Sequence, residues 1–456
     1  MSEPVRPTAG FSQGRLTLGL CIGITAIAFE SMAVSTAMPA AAAALGATSW
    51  YAWAFSIFQA AMLFANIAAG RLCDRIGPVR PMLVGMVVFA AGLVVAGLAP
   101  TMAQLVVGRA VQGLGGGAIN VALYVVIAQV YAPMARPRVM SWTSTAWVLP
   151  GLVGPLVSGW ITTTFSWHWV FGAVLPVLVL AAALMVPILL RVEADRVESP
   201  AADPDPDPAP VWAAGLAALA VPLLQYAAQR PGWTSVPVAL VAVALLAAGL
   251  PRLLPAGIWT LRPGLGPVMV VRALIGGVFF TTETFTVLML QQLYGLQPWL
   301  AGLVLTISSL GWTAGSFLQA RWLLRRDVLM TIGATGIGVG VLGIIAVVLS
   351  RTGNFWLIGV VWVVAGLGMG TAFASTTVAT MALSGGSEQG RNASALQLSE
   401  ALGGAVIVGL TGALYASLLR LEAADLHLVF APLFGVSAVL ILCCLLISRR
   451  IGPVAH

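Results

Sequence analysis

The sequence predicts an all-α polytopic membrane protein: two six-helix bundles plus two inserted helices, fourteen transmembrane spans in all, with both termini cytoplasmic. Three observations predict it. Of the 456 residues 59% are hydrophobic and only 8% charged, with a mean hydropathy of +0.98, far from the roughly 25% charged composition of soluble domains. Apolar stretches of the ~20 residues that cross a ~30 Å hydrocarbon core fall at 16–40, 50–69, 81–99, 101–131, 139–165, 167–190, 211–229, 233–251, 265–294, 298–320, 328–350, 354–383, 393–419 and 426–448. The chain also repeats at a constant offset of 253 residues, which carries Glu30 onto Glu283, Arg138 onto Arg391, and the run Gly113-Leu114-Gly115-Gly116-Gly117 onto Gly366-Leu367-Gly368-Met369-Gly370. Three matches in register argue for a duplicated six-helix unit, an arrangement common in transporters.

Arginine sets the orientation and supplies all 22 basic residues, since lysine is absent. With the N-terminus inside, seventeen arginines fall on the inner face and only Arg230, Arg351 and Arg420 outside. That is the positive-inside asymmetry, so the net charge of +7 reports topology and calls for no nucleic-acid partner.

Taken in order, a polar stretch leads directly into a first span too long for the apolar core of a signal peptide, so this helix is expected to stay in the protein. The spans up to residue 190 form the first bundle. Residues 191–210, rich in alternating Asp and Pro, read as an extended cytoplasmic linker. The two inserted spans follow, making 191–264 one unit with the linker. Pro222 and Pro237 interrupt them, so twelve helices is the alternative count. The spans of 265–456 form the second bundle. Glycine-rich fourth, fifth and twelfth spans are expected at the closest helix contacts, because small residues let backbones approach where lipid gives no hydrophobic drive. Cys21, Cys73, Cys443 and Cys444 lack metal or disulfide spacing and there are only three histidines, so no metal or other cofactor is expected.

Ionisable residues inside spans cost about 2.5–3.5 kcal/mol each at the bilayer centre and so usually face a cavity or a partner. Glu30 is near the middle of the first span, where desolvation favours the neutral form of an unpaired carboxylate; it is a candidate proton carrier, against the alternative of a packed, hydrogen-bonded neutral side chain. Glu283 occupies the equivalent depth in the second half. Arg109 opens a polar stripe with Gln112, Gly116 and Asn120 on one face of the fourth span, suited to holding a carboxylate ionised or releasing it. Arg272 is about seven residues from the cytoplasmic end and is expected to snorkel; eleven residues, about 16 Å of helix, separate it from Glu283. Glu400, beside Gln397, is a further candidate for titration or substrate contact. Other cavity candidates are Gln59 and Asn66 in the second span, Trp147 in the fifth, Phe279, Phe280 and Gln291 in the ninth, and Trp312 in the tenth. No acidic or basic cluster suited to a sugar phosphate or dicarboxylate appears, which points to neutral or cationic amphiphiles.

Residues 70–80, G-R-L-C-D-R-I-G-P-V-R, resemble the loop motif G-x-L-a-D-r-x-G-r-k-x of the major facilitator superfamily through Gly70, Leu72, Asp74, Arg75 and Gly77, with Arg80 closing the segment. Pro78 and Val79 replace its usual basic pair. L-V-V-G-R-A-V-Q-G-L-G at 105–115 is similar to the family's l-x-x-x-R-x-x-q-G-x-G, with Arg109, Gln112, Gly113 and Gly115 in place. P-G-L-V-G-P-L-V-S-G at 150–159 resembles the antiporter motif g-x-x-x-G-P-x-x-G-G through Gly154, Pro155 and Gly159, with Gly151 beside them and Pro150 and Ser158 departing. E-S-M-A-V-S-T-A-M-P at 30–39 and S-W-H-W-V-F at 166–171 are similar to segments of the fourteen-helix drug:proton antiporters, with Glu30 where that family has Asp. In the second half Trp362 replaces the arginine and the Gly-Pro pair is lost.

The resemblance implies the major facilitator fold and alternating access by two rocking bundles, with the arginine of the fourth span near the acid of the first. It also places Asp74 at the positive end of a second-half helix starting near Asn392. The expected activity is proton-coupled efflux of a hydrophobic or amphiphilic small molecule by a monomer in the bacterial cytoplasmic membrane. Its partners would be substrate, protons and the lipid bilayer. An importer or facilitator of the same fold is the alternative. No H-E-x-x-H or G-x-S-x-G run supports an intramembrane enzyme.

Overall fold

The computed structural model describes residues 13–132, 135–197, 210–229, 233–254, 256–322, 324–384, 389–419 and 425–454. The Asp/Pro-rich core of the expected linker, 198–209, lies outside the described residues. A backbone that meets hydrocarbon must satisfy its own N–H and C=O groups, and the described chain is accordingly helical. A first group comprises α1 (Gln13–Ala44), α2 (Trp53–Ile76), α3 (Val79–Gly97), α4 (Met102–Val130), α5 (Arg136–Thr164), α6 (His168–Gly172) and α7 (Val174–Val197). Next come α8 (Val211–Gln229) and α9 (Val236–Leu253). A second group holds α10 (Leu265–Gln292), α11 (Pro298–Arg321), α12 (Arg326–Ser350), α13 (Trp356–Ala382), α14 (Gln389–Leu419) and α15 (Leu426–Ser448).

This is a multi-pass membrane protein: among the described residues twelve segments are long and apolar enough to cross a bilayer. The sixth expected span is interrupted at Ala173, dividing it into α6 and α7. Helices α5, with Pro150 and Pro155 inside it, and α8, whose apolar run Val211–Ala227 is short, fall outside the set of twelve.

Glycine determines how the groups pack. In α4, Gly113 and Gly117 press on the backbone of α2 at Phe58 and Met62, while Gly115 presses on α3 at Phe89; none leaves room for a Cβ. The repeated run in α13 behaves alike, with Gly366 and Gly370 against α11 at Ser308 and Trp312, and Gly368 against Gly333 of α12. Close backbone approach of this kind replaces the hydrophobic drive that lipid does not provide. The duplication read from sequence therefore reappears as a duplicated packing unit, α2–α4 and α11–α13. The side chains of Arg138 and Arg391, the third match of the repeat, lie outside the described residues.

The Thr25 hydroxyl donates to Ala146 O (3.3 Å) and that of Ser158 to Ala33 O (2.5 Å), so α1 and α5 run parallel. The face carrying the start of α1 is called near, the opposite face far. The two groups meet at two seams in the far half. At one, Ala52 and Gln59 sit against Gly412 and Gly404 of α14; at the other, Gly159 and Pro155 sit against Trp299 and Gly302 of α11. Hydrogen bonds reinforce this closure: Tyr51 Oη to Thr284 O (2.8 Å), Gln291 Nε2 to Thr36 O (2.9 Å) and Ser309 Oγ to Gly151 O (2.8 Å). The inserted helix α8 leans on both α2 and α14, and its buried Gln225 accepts a hydrogen bond from Ser56.

Candidate functional site

The centre of the first group holds an ion pair with almost no access to solvent. Glu30 of α1 is 0% exposed and Arg109 of α4 is 1% exposed, and the Arg109 Nη1 meets Glu30 Oε1 directly. The guanidinium is held on every side: Nε donates to Ala54 O (3.0 Å), Nη1 also donates to Gln112 Oε1 (2.6 Å), and Cζ lies 4.2 Å from the centre of the Phe58 ring. Glu30, which its depth alone read as an unpaired carboxylate, is paired with the arginine that the family resemblance places near it. The second carboxylate oxygen, Oε2, has no hydrogen-bond partner among the described residues. A carboxylate in so dry a site calls for a countercharge, and Arg109 supplies it. Protonation at Glu30 would dissolve the charge pairing while leaving Arg109 its contacts to Ala54 and Gln112. The pair is thus a charge-dependent tie between α1 and α4.

The second group has its own pair in a different place. Arg272 of α10 binds Oε2 of Glu400 on α14 through Nε (3.0 Å) and Nη2 (2.9 Å), and its Nη1 reaches Phe373 O (2.7 Å), Thr376 Oγ1 (2.8 Å) and Thr377 Oγ1 (3.3 Å) of α13. Its Cζ stands 3.2 Å from the Phe373 ring centre. Arg272 is 4% exposed. It does not snorkel to the near face, because an interior carboxylate and three α13 oxygens replace the water it would otherwise seek.

An aromatic cluster adjoins the second pair through Phe373. Trp362, at the position the repeat assigns to Arg109, is fully buried and stacks on Phe279 at 5.0 Å. Trp312 contacts Phe279 (5.5 Å), Phe280 (6.0 Å) and Phe373 (5.5 Å). Glu283, one turn beyond Phe279, is half-buried and makes no ion pair or hydrogen bond among the described residues.

Residues 20–408 match the profile of the Major Facilitator Superfamily. The chain belongs to this superfamily. It is 27% identical over 384 residues to multidrug resistance protein 3 of Bacillus subtilis, covering 80% of this chain and 72% of that one. It is 25% identical over 405 residues to a probable multidrug-efflux transporter of Mycobacterium tuberculosis, covering 86% and 85%. A crystal structure of a mutant of the peptide transporter POT superposes with a TM-score of 0.69 at 18% identity, covering 98% and 97% of the two chains, which shows the shared fold.

In this major facilitator protein the expected motif residues occupy distinct places. Gly77 ends α2 at φ +86, a left-handed conformation that favours glycine. Asp74 and Arg75 are exposed, Gly70 is half-buried, and Arg80 pairs with Glu193 of α7 (3.0 Å). Gly151, Pro155 and Gly159 build the α5–α11 seam, whereas Gly154 faces Phe29 and Met32 of α1. Of the cavity candidates, Gln112 is taken up by Arg109, Gln291 ties α10 to α1, Gln59 faces Gly404, and Phe279, Phe280 and Trp312 join the aromatic cluster. Asn66 and Asn120 are half-buried and Gln397 is exposed. The side chain of Trp147 lies outside the described residues. Phe373, Thr376, Thr377, Tyr51 and Gln225 were not legible as site residues, since single hydroxyls, amides and aromatics are ordinary in an apolar helix. For Gln225 a signal existed, an amide inside the largely apolar α8, away from the helix end that Gln229 occupies.

Proposed function

We propose that this protein exports a hydrophobic or amphiphilic small molecule, drugs among them, in exchange for protons by alternating access. The observation that carries the reading is the dry Glu30–Arg109 pair at the centre of the first bundle. Its exchangeable charge is where proton binding would be felt by two helices at once. The far-half seams describe a state closed on that side, and a second state that parts them completes the cycle. Substrate enters from the near side while Glu30 is ionised; a proton arriving from the far side then neutralises Glu30, favours release and resets the carrier. One proton crossing a membrane gains about 2.3 kcal/mol per 100 mV, enough for a roughly fifty-fold gradient. The names of the two multidrug relatives support export, and so does the seam built by the Gly-Pro run of α5.

Counting α5 and α8 gives fourteen spans with both termini on the near face, which the arginine bias makes cytoplasmic. Bundles 1–190 and 265–456 rock about the centre, and 191–264 supplies the linker and the inserted pair. Asp74 caps the start of α14 in one facing state by a charge–dipole contact. The protein works as a monomer in the bacterial cytoplasmic membrane, where export of antibiotics would register as resistance.

Reconstitution in proteoliposomes tests the reading: substrate should move protons in the opposite direction, and Glu30→Gln should abolish that movement. Equal coupled rates in variant and wild type would remove Glu30 from the mechanism. The direction of flux in inverted vesicles separates export from import.

A further inference from the structure

The inserted helix α8 spans a seam that the proposed cycle must open. In the far half, Ala52 and Gln59 of α2 face Gly412 and Gly404 of α14, and α8 lies against both helices. Val221 of α8 packs in one small cluster with Ala60 of α2 and Ala405 of α14. When α2 and α14 part, α8 can keep only one of these neighbours. Chain connectivity does not favour the first bundle, for the turn after α9 is seated on α10 of the second, with Gly257 O against Gly266.

The two sides of α8 differ in chemistry. Toward α2 the hold is polar: the Ser56 hydroxyl donates to Oε1 of Gln225, and both residues are only 1% exposed. Gly215 adds an apolar contact to Phe64. In so dry a place, breaking the Ser56–Gln225 bond strands an amide oxygen and a hydroxyl together. Toward α14 the surface is apolar and smooth. Val221 and Leu224 share a crevice with Val406, Gly409 and Leu410. The Gln225 amide rests on two glycines of α14, where a Cβ on Gly409 would lie 3.4 Å from Oε1 and one on Gly412 3.7 Å from Nε2. Nε2 has no hydrogen-bond partner among the described residues. The glycine face of α14 can therefore shift past this amide without unmaking a bond. Helix α9 goes where α8 goes, since a Cβ on Gly249 would come within 2.7 Å of Ala213 O.

We infer that α8 and α9 belong mechanically to the first bundle, with Gln225 the positioning residue that holds them on α2 while α14 slides past. So placed, the pair stays beside the α2–α14 seam as it parts, between the opening and the bilayer. The inference rests on the alternating-access reading and adds which bundle carries the inserted helices.

Oxidative cross-linking of the full chain in nanodiscs tests it, with the four native cysteines replaced by alanine. Val221→Cys is combined with Ala60→Cys on α2 or with Ala405→Cys on α14. Disulfide yield after brief copper-phenanthroline oxidation is read by mass spectrometry, with and without Gly159→Val, which disfavours the far-closed state. In Gly159→Val the α14 pair should lose at least about threefold in yield, since thiols on helices that have moved apart no longer bridge, while the α2 pair keeps its yield. Adding Gln225→Leu or Ser56→Ala should make the α2 pair fall as well in Gly159→Val but not in its parent, which separates positioning from folding. A fall at the α2 pair alone, at both pairs or at neither overturns the assignment; an α2 pair that holds in both Gln225→Leu and Ser56→Ala overturns the role of Gln225. Labelling of a cysteine introduced on the far side reads alternating access separately. If it rises in Gly159→Val without the split between the pairs, the inference fails and the rocking stands; if it does not rise, the rocking fails and the inference with it.

Discussion

In the first bundle, Arg109 and Glu30 come from α4 and α1 and are closed off from solvent; in the second, Arg272 and Glu400 come from α10 and α14, and Glu400 keeps a quarter of its side chain accessible. The repeat carries the glycine packing of α4 onto α13 but not its charge, since the arginine position became Trp362 and the second arginine sits on another helix. A sealed pair can respond only by changing its own protonation or geometry. An accessible pair beside an aromatic cluster can be touched by a solute. Duplication has thus preserved the scaffold while the two interiors diverged.

The largest expected difference between the bundles is in stability. Arg109→Met strands a fully buried carboxylate and should cost about 3–5 kcal/mol, read as thermal unfolding in detergent, with much of it recovered in the double variant Glu30→Gln/Arg109→Met. Arg272→Met leaves Glu400 able to reach water and should cost only about 1–3 kcal/mol. Equal losses would break the contrast between a sealed and an accessible pair.

Next is the α5–α11 seam, where a Cβ on Gly159 would fall 2.3 Å from the Trp299 backbone, whereas one on Gly154, which faces α1, would keep an ordinary 3.7 Å from Phe29. Gly159→Val should cost the closed state on the order of 1–3 kcal/mol and raise labelling of a cysteine introduced on the far side, whereas Gly154→Ala should stay within about 0.5 kcal/mol. A smaller effect is expected from single hydrogen bonds across the groups: Gln291→Leu should shift unfolding by about 0.6 kcal/mol.

The smallest concerns the far-face turn before α15. Hydrogen bonds from His427, with Arg351 adjacent, hold the Asp425 carboxyl below the ordinary carboxylate range. Its contribution is therefore present above about pH 3.9, the ordinary aspartate value, and is lost as pH falls through the lower folded value. Asp425→Asn should flatten that acid limb slightly in a pH series of unfolding midpoints, and an unchanged limb would show that the contact does not matter.

Much of this was legible one residue at a time. Helix positions follow from apolar run lengths, and the expected 265–294 emerged as α10, Leu265–Gln292. The α1–α4 juxtaposition was implied by the motifs carrying Glu30 and Arg109. What was not legible depends on distance across the fold. Arg272 read as a snorkelling residue because its depth alone was visible, whereas Glu400, 128 positions away in the chain, decides its conformation. Phe373 carried no sign that an arginine would stack on it.

The sequence by itself determined the solvent, the helices, the family and the repeat, because these depend on composition, local run length and spacing. Only the tertiary structure decided which charge meets which. Pairing in a low dielectric depends on a few ångströms between side chains of different helices, and that separation is set by glycine-governed packing of whole helices rather than by any one segment.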